Sequence, residues 1–268
     1  MRSENLTTLA APVIAPVAQV AMCEDHGPFD QTTNVIFGRE FKTQCPACSL
    51  ARKVEQEAKE AATKAREARI ATESRLGAAM IPKRFTGKCF ADYQADTPAK
   101  AKVLAVTREY AEKFVDHFNA GRCMLLLGKP GTGKTHLAVS IANEIMTTTS
   151  ATAVYRTIGA VLQSIRGTYD RTNDQSESQI LSGLISPSLL ILDEIGASKE
   201  KPSEFELTTL FAIINGRYEQ CRPTIVVSNL GAKELAEAIG ERCADRLREG
   251  GVIVLPFNWE SQRGKEGF

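Results

Sequence analysis

An apolar run, Leu125-Leu126-Leu127, enters a glycine-rich stretch, Gly128-Lys129-Pro130-Gly131-Thr132-Gly133-Lys134-Thr135, and a helix opens near Lys134. Every fixed position of the phosphate-loop pattern G-x-x-x-x-G-K-[ST] is met. Gly131 and Gly133 can take backbone angles that other residues avoid, so successive amide N–H groups can turn inward around a phosphate. Lys134 adds a point charge for β- and γ-phosphates, and the Thr135 hydroxyl can ligate Mg²⁺. The positive end of the helix dipole lies behind the same spot. The stretch reads as a nucleoside-triphosphate cradle made by Gly128, Lys129, Pro130, Gly131, Thr132, Gly133, Lys134, Thr135 and His136.

Strand and helix signals alternate beyond it. Ala153-Val154-Tyr155 is a short strand, and residues 159–169 and 176–185 are helical. Apolar strands at 189–194, 224–229 and 252–255 are separated by a helix over 203–219 and then two short helices. Continuous apolar strands spaced by helices mean a parallel sheet covered on both faces. The strand Leu189-Leu190-Ile191-Leu192 ends in Asp193-Glu194. There Asp193 can reach Mg²⁺ through water, and Glu194 can orient and deprotonate an attacking water. A small-molecule kinase has less use for that second acid. Asn229 ends the next strand, where a polar side chain can touch a γ-phosphate, although Ser-Asn after a strand is also a common turn. Residues 240–248 put several arginines on a short helix, each a planar fork suited to phosphate. No local pattern says which one acts, or within which subunit.

The 268 residues leave room for one α/β domain and a smaller appendage. A net charge of +1 gives no global signal for nucleic acid, so any DNA contact must come from local patches. No apolar run is long enough to span a bilayer. Residues 9–22 resemble a signal peptide only superficially. Glu4 spoils the basic start, and Pro12 and Pro16 interrupt the required helix. Residues 1–22 therefore read as a disordered tail on a cytoplasmic protein.

Seven cysteines, an odd number, do not form a disulfide scaffold, and their clustering points to metal. Cys23-x-x-His26 and Cys45-Pro46-Ala47-Cys48 can each wrap one side of a tetrahedral ion, and the chain between them is long enough for a hairpin. Four such ligands suit structural Zn²⁺ and leave no open position for catalysis. Cys89, Cys123, Cys221 and Cys243 sit among apolar neighbours and read as core. Residues 49–76 are rich in Ala, Glu, Lys and Arg and predict a helix that Gly77 ends. It is either a solvated spacer or a partner-docking helix. A second amphipathic helix over 100–119 leads to the phosphate loop. The boundaries are therefore a tail at 1–22, a zinc module at 23–50, a helical linker at 51–80 and an ATPase domain at 81–268.

The sequence resembles the DnaC-type replicative helicase loaders, a branch of the AAA+ ATPases related to the IstB transposition ATPases. The resembling residues are GKPGTGKTHL at 128–137, LDEIG at 192–196, RPTIVVSNL at 222–230, GERCADRLR at 240–248 and FNWESQR at 257–263. The resemblance implies a five-stranded parallel sheet of order 5-1-4-3-2 without a helical lid, and ATP hydrolysis that is weak until subunits assemble. It implies Arg246 as an arginine finger acting on a neighbour's nucleotide, Arg263 as the second sensor and Asn229 as the first. Single-stranded DNA contacts would fall at Arg166, Tyr169, Ser203 and Phe205. The implied partners are a hexameric DnaB-like helicase, gripped by the N-terminal region, single-stranded DNA and further copies of the chain.

Overall fold

A computed structural model describes residues 17–36, 39–169, 175–197 and 201–262. The chain divides into two units, Met1–Arg69 and Ile70–Phe268. In the first, β1 (Val17–Cys23) and β2 (Gly27–Ile36) form an antiparallel hairpin that closes at the Cys23–Gly27 pair, and β3 (Arg39–Lys42) adds to β2. The tail expected over 1–22 is therefore corrected at its end. Val17 to Met22 are strand, because proline at 12 and 16 stops a helix but leaves the residues that follow free to pair with β2. Residues 1–16 lie outside the described residues.

Helix α1 (Pro46–Ala78) begins earlier and ends later than expected. Pro46 suits its first position, where no N–H is needed. Gly77 does not end it: the glycine is carried in the last turn, and the chain turns away at Met80, with φ 55°. No side chain of α1 is buried. Its last turns belong to the second unit. There an Arg75 guanidinium N–H donates to Met146 O (3.0 Å) and Thr149 O (3.2 Å), at the carbonyl end of the phosphate-loop helix.

After the last turns of α1, the second unit has α2 (Pro98–Glu112) and α3 (Phe114–Asn119) in place of one helix over 100–119. The bend at Lys113 keeps both Tyr110 and Phe114 buried. Then follow β4 (Met124–Gly128), α4 (Lys134–Thr148), β5 (Ala153–Thr157), α5 (Ile158–Gly167), α6 (Glu177–Ile185) and β6 (Leu189–Ile195). The domain ends with α7 (Glu204–Glu219), β7 (Thr224–Ser228), α8 (Ala232–Ile239), α9 (Glu241–Glu249) and β8 (Ile253–Phe257). The five strands are parallel in the order β5-β6-β7-β4-β8, the expected order read from the opposite edge. Alternation along β4 splits the core: Met124 and Leu126 pack with α2 and α4, and Leu125 and Leu127 pack with α7 and α9.

Both sheet edges are modified. On β5, Tyr155 N–H donates to Ala79 O (2.9 Å), so the segment after α1 covers that position. On β8, Ile253 N–H bonds Cys123 O and Phe257 O accepts from Lys129 N–H, so odd residues face β4. Pro256, which has no N–H, therefore faces outward.

At the other end of the strands Arg217 is 1% exposed. Its guanidinium donates to the carbonyls of Leu184, Ile185, Pro187, Ser188 and Pro223 and to the Thr224 hydroxyl, at 2.6–3.5 Å. Burial pulls its pKa below the usual arginine value. Removing the fork leaves these buried acceptors unpaired at about 1–3 kcal/mol each, less where a carbonyl relaxes toward another donor. Arg217→Met therefore costs at least ~4 kcal/mol of folding stability. Denaturant unfolding checks this, and a loss under ~1 kcal/mol would show that the fork is dispensable.

Candidate functional site

The phosphate loop joins the C-terminal end of β4 to α4. Gly128 has φ 128°, and a Cβ there would come within 2.5 Å of Phe257 O. Gly133, with φ 93°, is the N-cap of α4 and provides no side-chain cap to the first-turn N–H groups. That helix end is built for an anion. Lys134 is buried, and its ammonium donates to Gly128 O (2.7 Å), Lys129 O (2.7 Å) and Asn229 Oδ1 (3.0 Å). The predicted cation and the predicted sensor thus meet at the loop mouth.

Asp193 and Glu194 separate sharply. Asp193 is buried and Glu194 is exposed. Asp193 Oδ2 accepts from Thr135 Oγ1 and from the Tyr155 hydroxyl, both at 2.8 Å, while Oδ1 accepts the Glu194 N–H at 2.7 Å. Thr135 and Asp193 present adjacent hard oxygens, a donor set that fits Mg²⁺. The register of β6 against β7 shifts between Leu192 and Ile195, and Glu194 sits at φ 60°. A left-handed conformation costs a non-glycine residue roughly 1–2 kcal/mol, and here it turns the second acid out of the sheet.

Sequence reasoning missed the residues that brace this site. Tyr155 holds Asp193. Burial and the adjacent carboxylate push its phenol pKa well up, so it stays a donor. Trp259 Nε1–H donates to Thr132 O (3.0 Å), Gln262 N–H to Gly131 O (2.8 Å) and Tyr93 OH to Thr132 O (3.4 Å). Nothing local marks these contacts, although Trp259 lies inside the FNWESQR block. The His136 ring is buried, lies 3.0 Å from Cys89 O through Nε2, and meets the Tyr93 ring edge-on. What His136 offers a nucleotide is its backbone.

Arg246 stands on α9 against α7. Its Nε–H donates to Asn215 Oδ1 (2.6 Å) and Nη1 to Arg242 O (3.3 Å), with Phe211 and Tyr218 rings 4.9 and 5.5 Å from the guanidinium carbon. Arg263 lies outside the described residues. Of the candidate DNA contacts, Arg166 and Phe205 are brought together, 5.2 Å from guanidinium carbon to ring centroid. Tyr169 is 65% exposed. The Ser203 hydroxyl instead caps α7 by accepting the Glu206 N–H (3.2 Å).

In the first unit, the hairpin turn and the start of α1 gather Cys23, His26, Cys45 and Cys48, with all four ligand atoms within 4.8 Å of one another. Sγ of Cys48 is 3.5 Å from Sγ of Cys23 and 3.3 Å from His26 Nδ1, and Cys23 Sγ is 3.7 Å from the same nitrogen. Tetrahedral Zn²⁺ with bonds of about 2.3 Å to sulfur and 2.0–2.1 Å to nitrogen needs edges of about 3.4–3.8 Å. The cluster fits. The hydrogen bond from His26 is the main cause that lowers Cys23 to about 6, and the neighbouring Cys23 thiolate pushes Cys48 up to about 11. Thiols this close compete for protons unless a cation offsets their charge.

Among the described residues no helix is long and apolar enough to cross a membrane. A family model described as IstB-like ATP binding protein matches residues 46–248. That span includes the phosphate loop, Asp193, Glu194, Asn229 and Arg246, but not Cys23, His26 or Cys45. The chain is 32% identical over 176 residues to the replicative helicase loader DnaC of Escherichia coli strain K12, covering 66% of this chain and 69% of that one. It is equally identical over 188 residues to the replicative helicase loader DnaC of Buchnera aphidicola subsp. Acyrthosiphon pisum, covering 70% and 74%. A crystal structure of the DnaC helicase loader superposes with a TM-score of 0.58 at 21% identity, over 66% of this chain and 100% of that one. At that identity the likeness speaks to the fold.

Proposed function

Because the chain belongs to the IstB-like ATP-binding family and is an AAA+ ATPase of its DnaC-like helicase-loader branch, we propose that it uses ATP to load a hexameric, DnaB-like replicative helicase onto single-stranded DNA in the cytoplasm. The observation that carries this reading is the identity to replicative helicase loaders over the domain that holds Lys134, Asp193 and Asn229 together.

In the proposed mechanism the cradle at 128–136 binds ATP, and Thr135 and Asp193 would hold Mg²⁺, which would supply charge neutralisation at the phosphates. Glu194 activates water. Asn229, already bonded to Lys134, senses the γ-phosphate. Arg246 and Arg263 complete the site, Arg246 from a neighbouring copy, so self-association sets the rate. The module at 23–50, whose Cys23, His26, Cys45 and Cys48 would hold Zn²⁺, and the helical segment at 51–80 grip the helicase. The Arg166–Phe205 pair with Tyr169 offers a base-stacking platform beside a cation for single-stranded DNA, with Ser203 at its margin.

Loading onto single strands coated with their binding protein, with and without this chain, tests the reading. Unwinding is expected only with the chain and ATP. Cys45→Ser, which removes one ligand of the metal cluster, should abolish loading and retain ATP hydrolysis. The family model's description favours a second reading, an IstB-like transposition ATPase. That reading gains if the helicase is not recruited and ATP-dependent binding is to duplex DNA.

A further inference from the structure

The geometry points to Tyr155 as a positioning residue for magnesium: its hydroxyl sets the carboxylate plane of Asp193, and with it the affinity of the nucleotide site for the cation. The inference rests on Asp193 as the magnesium-side carboxylate and not on any partner of the chain.

In the parallel register Tyr155 pairs with Ile191 and Thr157 with Asp193, so all four side chains share one face of the sheet. It is the face covered by α4, whose first turn brings Thr135 to Asp193. The tyrosine ring is long enough to reach past its own pair to the next one on β6, where its O–H meets Oδ2 at 2.8 Å. The backbone behind it is fixed on both sides, by the ladder to β6 and by its N–H donated to Ala79 O. The residue is 6% exposed. The phenol therefore has little freedom to follow a moving carboxylate.

The last torsion of an aspartate is broad and roughly two-fold, so its hydrogen bonds decide where the oxygens lie. Glu194 N–H fixes Oδ1, while Thr135 and Tyr155 share Oδ2. Thr135 is itself a candidate ligand, so its hydroxyl must reorient when a cation arrives. Tyr155 is the donor on Oδ2 that has no second task. Without it, one fixed N–H on Oδ1 leaves the carboxylate free to rotate about that bond. Hydrogen-bond partners that orient a metal's ligands typically contribute 10–100-fold to affinity.

The test compares the full-length chain with Tyr155→Phe, which removes one oxygen and keeps the ring. Binding of a fluorescent, non-hydrolysable ATP analogue is measured in EDTA and across a Mg²⁺ titration. The variant should bind the analogue in EDTA within twofold of wild type, which also reports that it is folded, and should need roughly tenfold more Mg²⁺ for the tightened state. Val154→Ala, on the opposite face of the same strand, should lower melting temperature without moving the Mg²⁺ midpoint. A Tyr155→Phe midpoint within twofold of wild type overturns the role of Tyr155 alone. A midpoint shift of the same size in Val154→Ala makes the effect one of general packing and also overturns it. A wild-type protein whose analogue binding ignores Mg²⁺ overturns the assignment of Asp193 together with this one.

Discussion

Arg246→Ala should lower ATP turnover of the assembled protein by roughly 10³–10⁵-fold, the range an arginine finger contributes in related phosphoryl transfer, while the slow turnover of dilute, unassembled chain stays within a few-fold. The expectation comes from what the guanidinium touches. Asn215 takes Nε, the Arg242 carbonyl takes Nη1, and two aromatic rings of α7 pack against the plane. The fork is held by its own domain through Nε and Nη1, and the proposal has its Nη2 edge meet a phosphate of a neighbouring copy. Phosphate release measured against protein concentration separates the two regimes. Turnover that rises with concentration equally in wild type and Arg246→Ala would remove Arg246 from the site. Arg246→Lys adds a control, because it keeps the charge and loses the planar fork. It should resemble alanine in turnover.

Glu194→Gln should lower turnover 10²–10⁴-fold, the usual contribution of a positioned general base, and leave ATP affinity within about twofold. The proposal assigns binding to Lys134, the loop amides and Asp193, and the bonds described above that fix Lys134 and the Asp193 carboxylate are made without the Glu194 side chain. Equilibrium binding and single-turnover hydrolysis on the same preparation check both halves. A parallel loss of affinity would make Glu194 a ligand-binding group. Glutamine inherits the left-handed backbone at this position, so folding stability should not change. Glu194→Gly should lower turnover by the same factor while gaining up to about 1 kcal/mol of folding stability, because it relieves that conformation, less the entropy a glycine loses on folding.

What could be read from the sequence has a common physical character. The phosphate loop and the Asp193 strand end are local patterns, in which periodicity and a few obligatory residue types carry the information, whereas the five-strand order follows from the family resemblance. Cys23, His26, Cys45 and Cys48 could be paired for the same reason: ligand spacing survives without knowledge of the fold. Tyr155, Trp259 and Arg217 could not. Each acts across the sheet on residues 29 or more positions away, with the exception of the Arg217 bonds to Pro223 and Thr224. An aromatic at a strand position reads as core whether or not its hydroxyl reaches a carboxylate. The C-terminal end of α1 runs past Gly77 because a glycine weakens a helix without stopping it, and Arg75 anchors that last turn to α4 from a distance. Ser203 shows the converse. Its position was drawn from a resemblance, whereas its hydroxyl has a local task at the start of α7.

The two altered edges of the five-stranded sheet bear on how copies of this domain can meet. A bare edge strand is a template for another chain's backbone, and natural proteins blunt it with proline or cover it. Here one outward N–H of β5 is taken by Ala79, and one of the two outward positions of β8, Pro256 beside Val254, is a proline. A foreign strand would find an interrupted ladder on either side. Edge-to-edge growth, the route from stacked domains to insoluble aggregate, is therefore disfavoured in a protein whose proposed work requires many copies side by side. Contact between neighbours is left to side chains, where it can be made reversible and can depend on what each site holds.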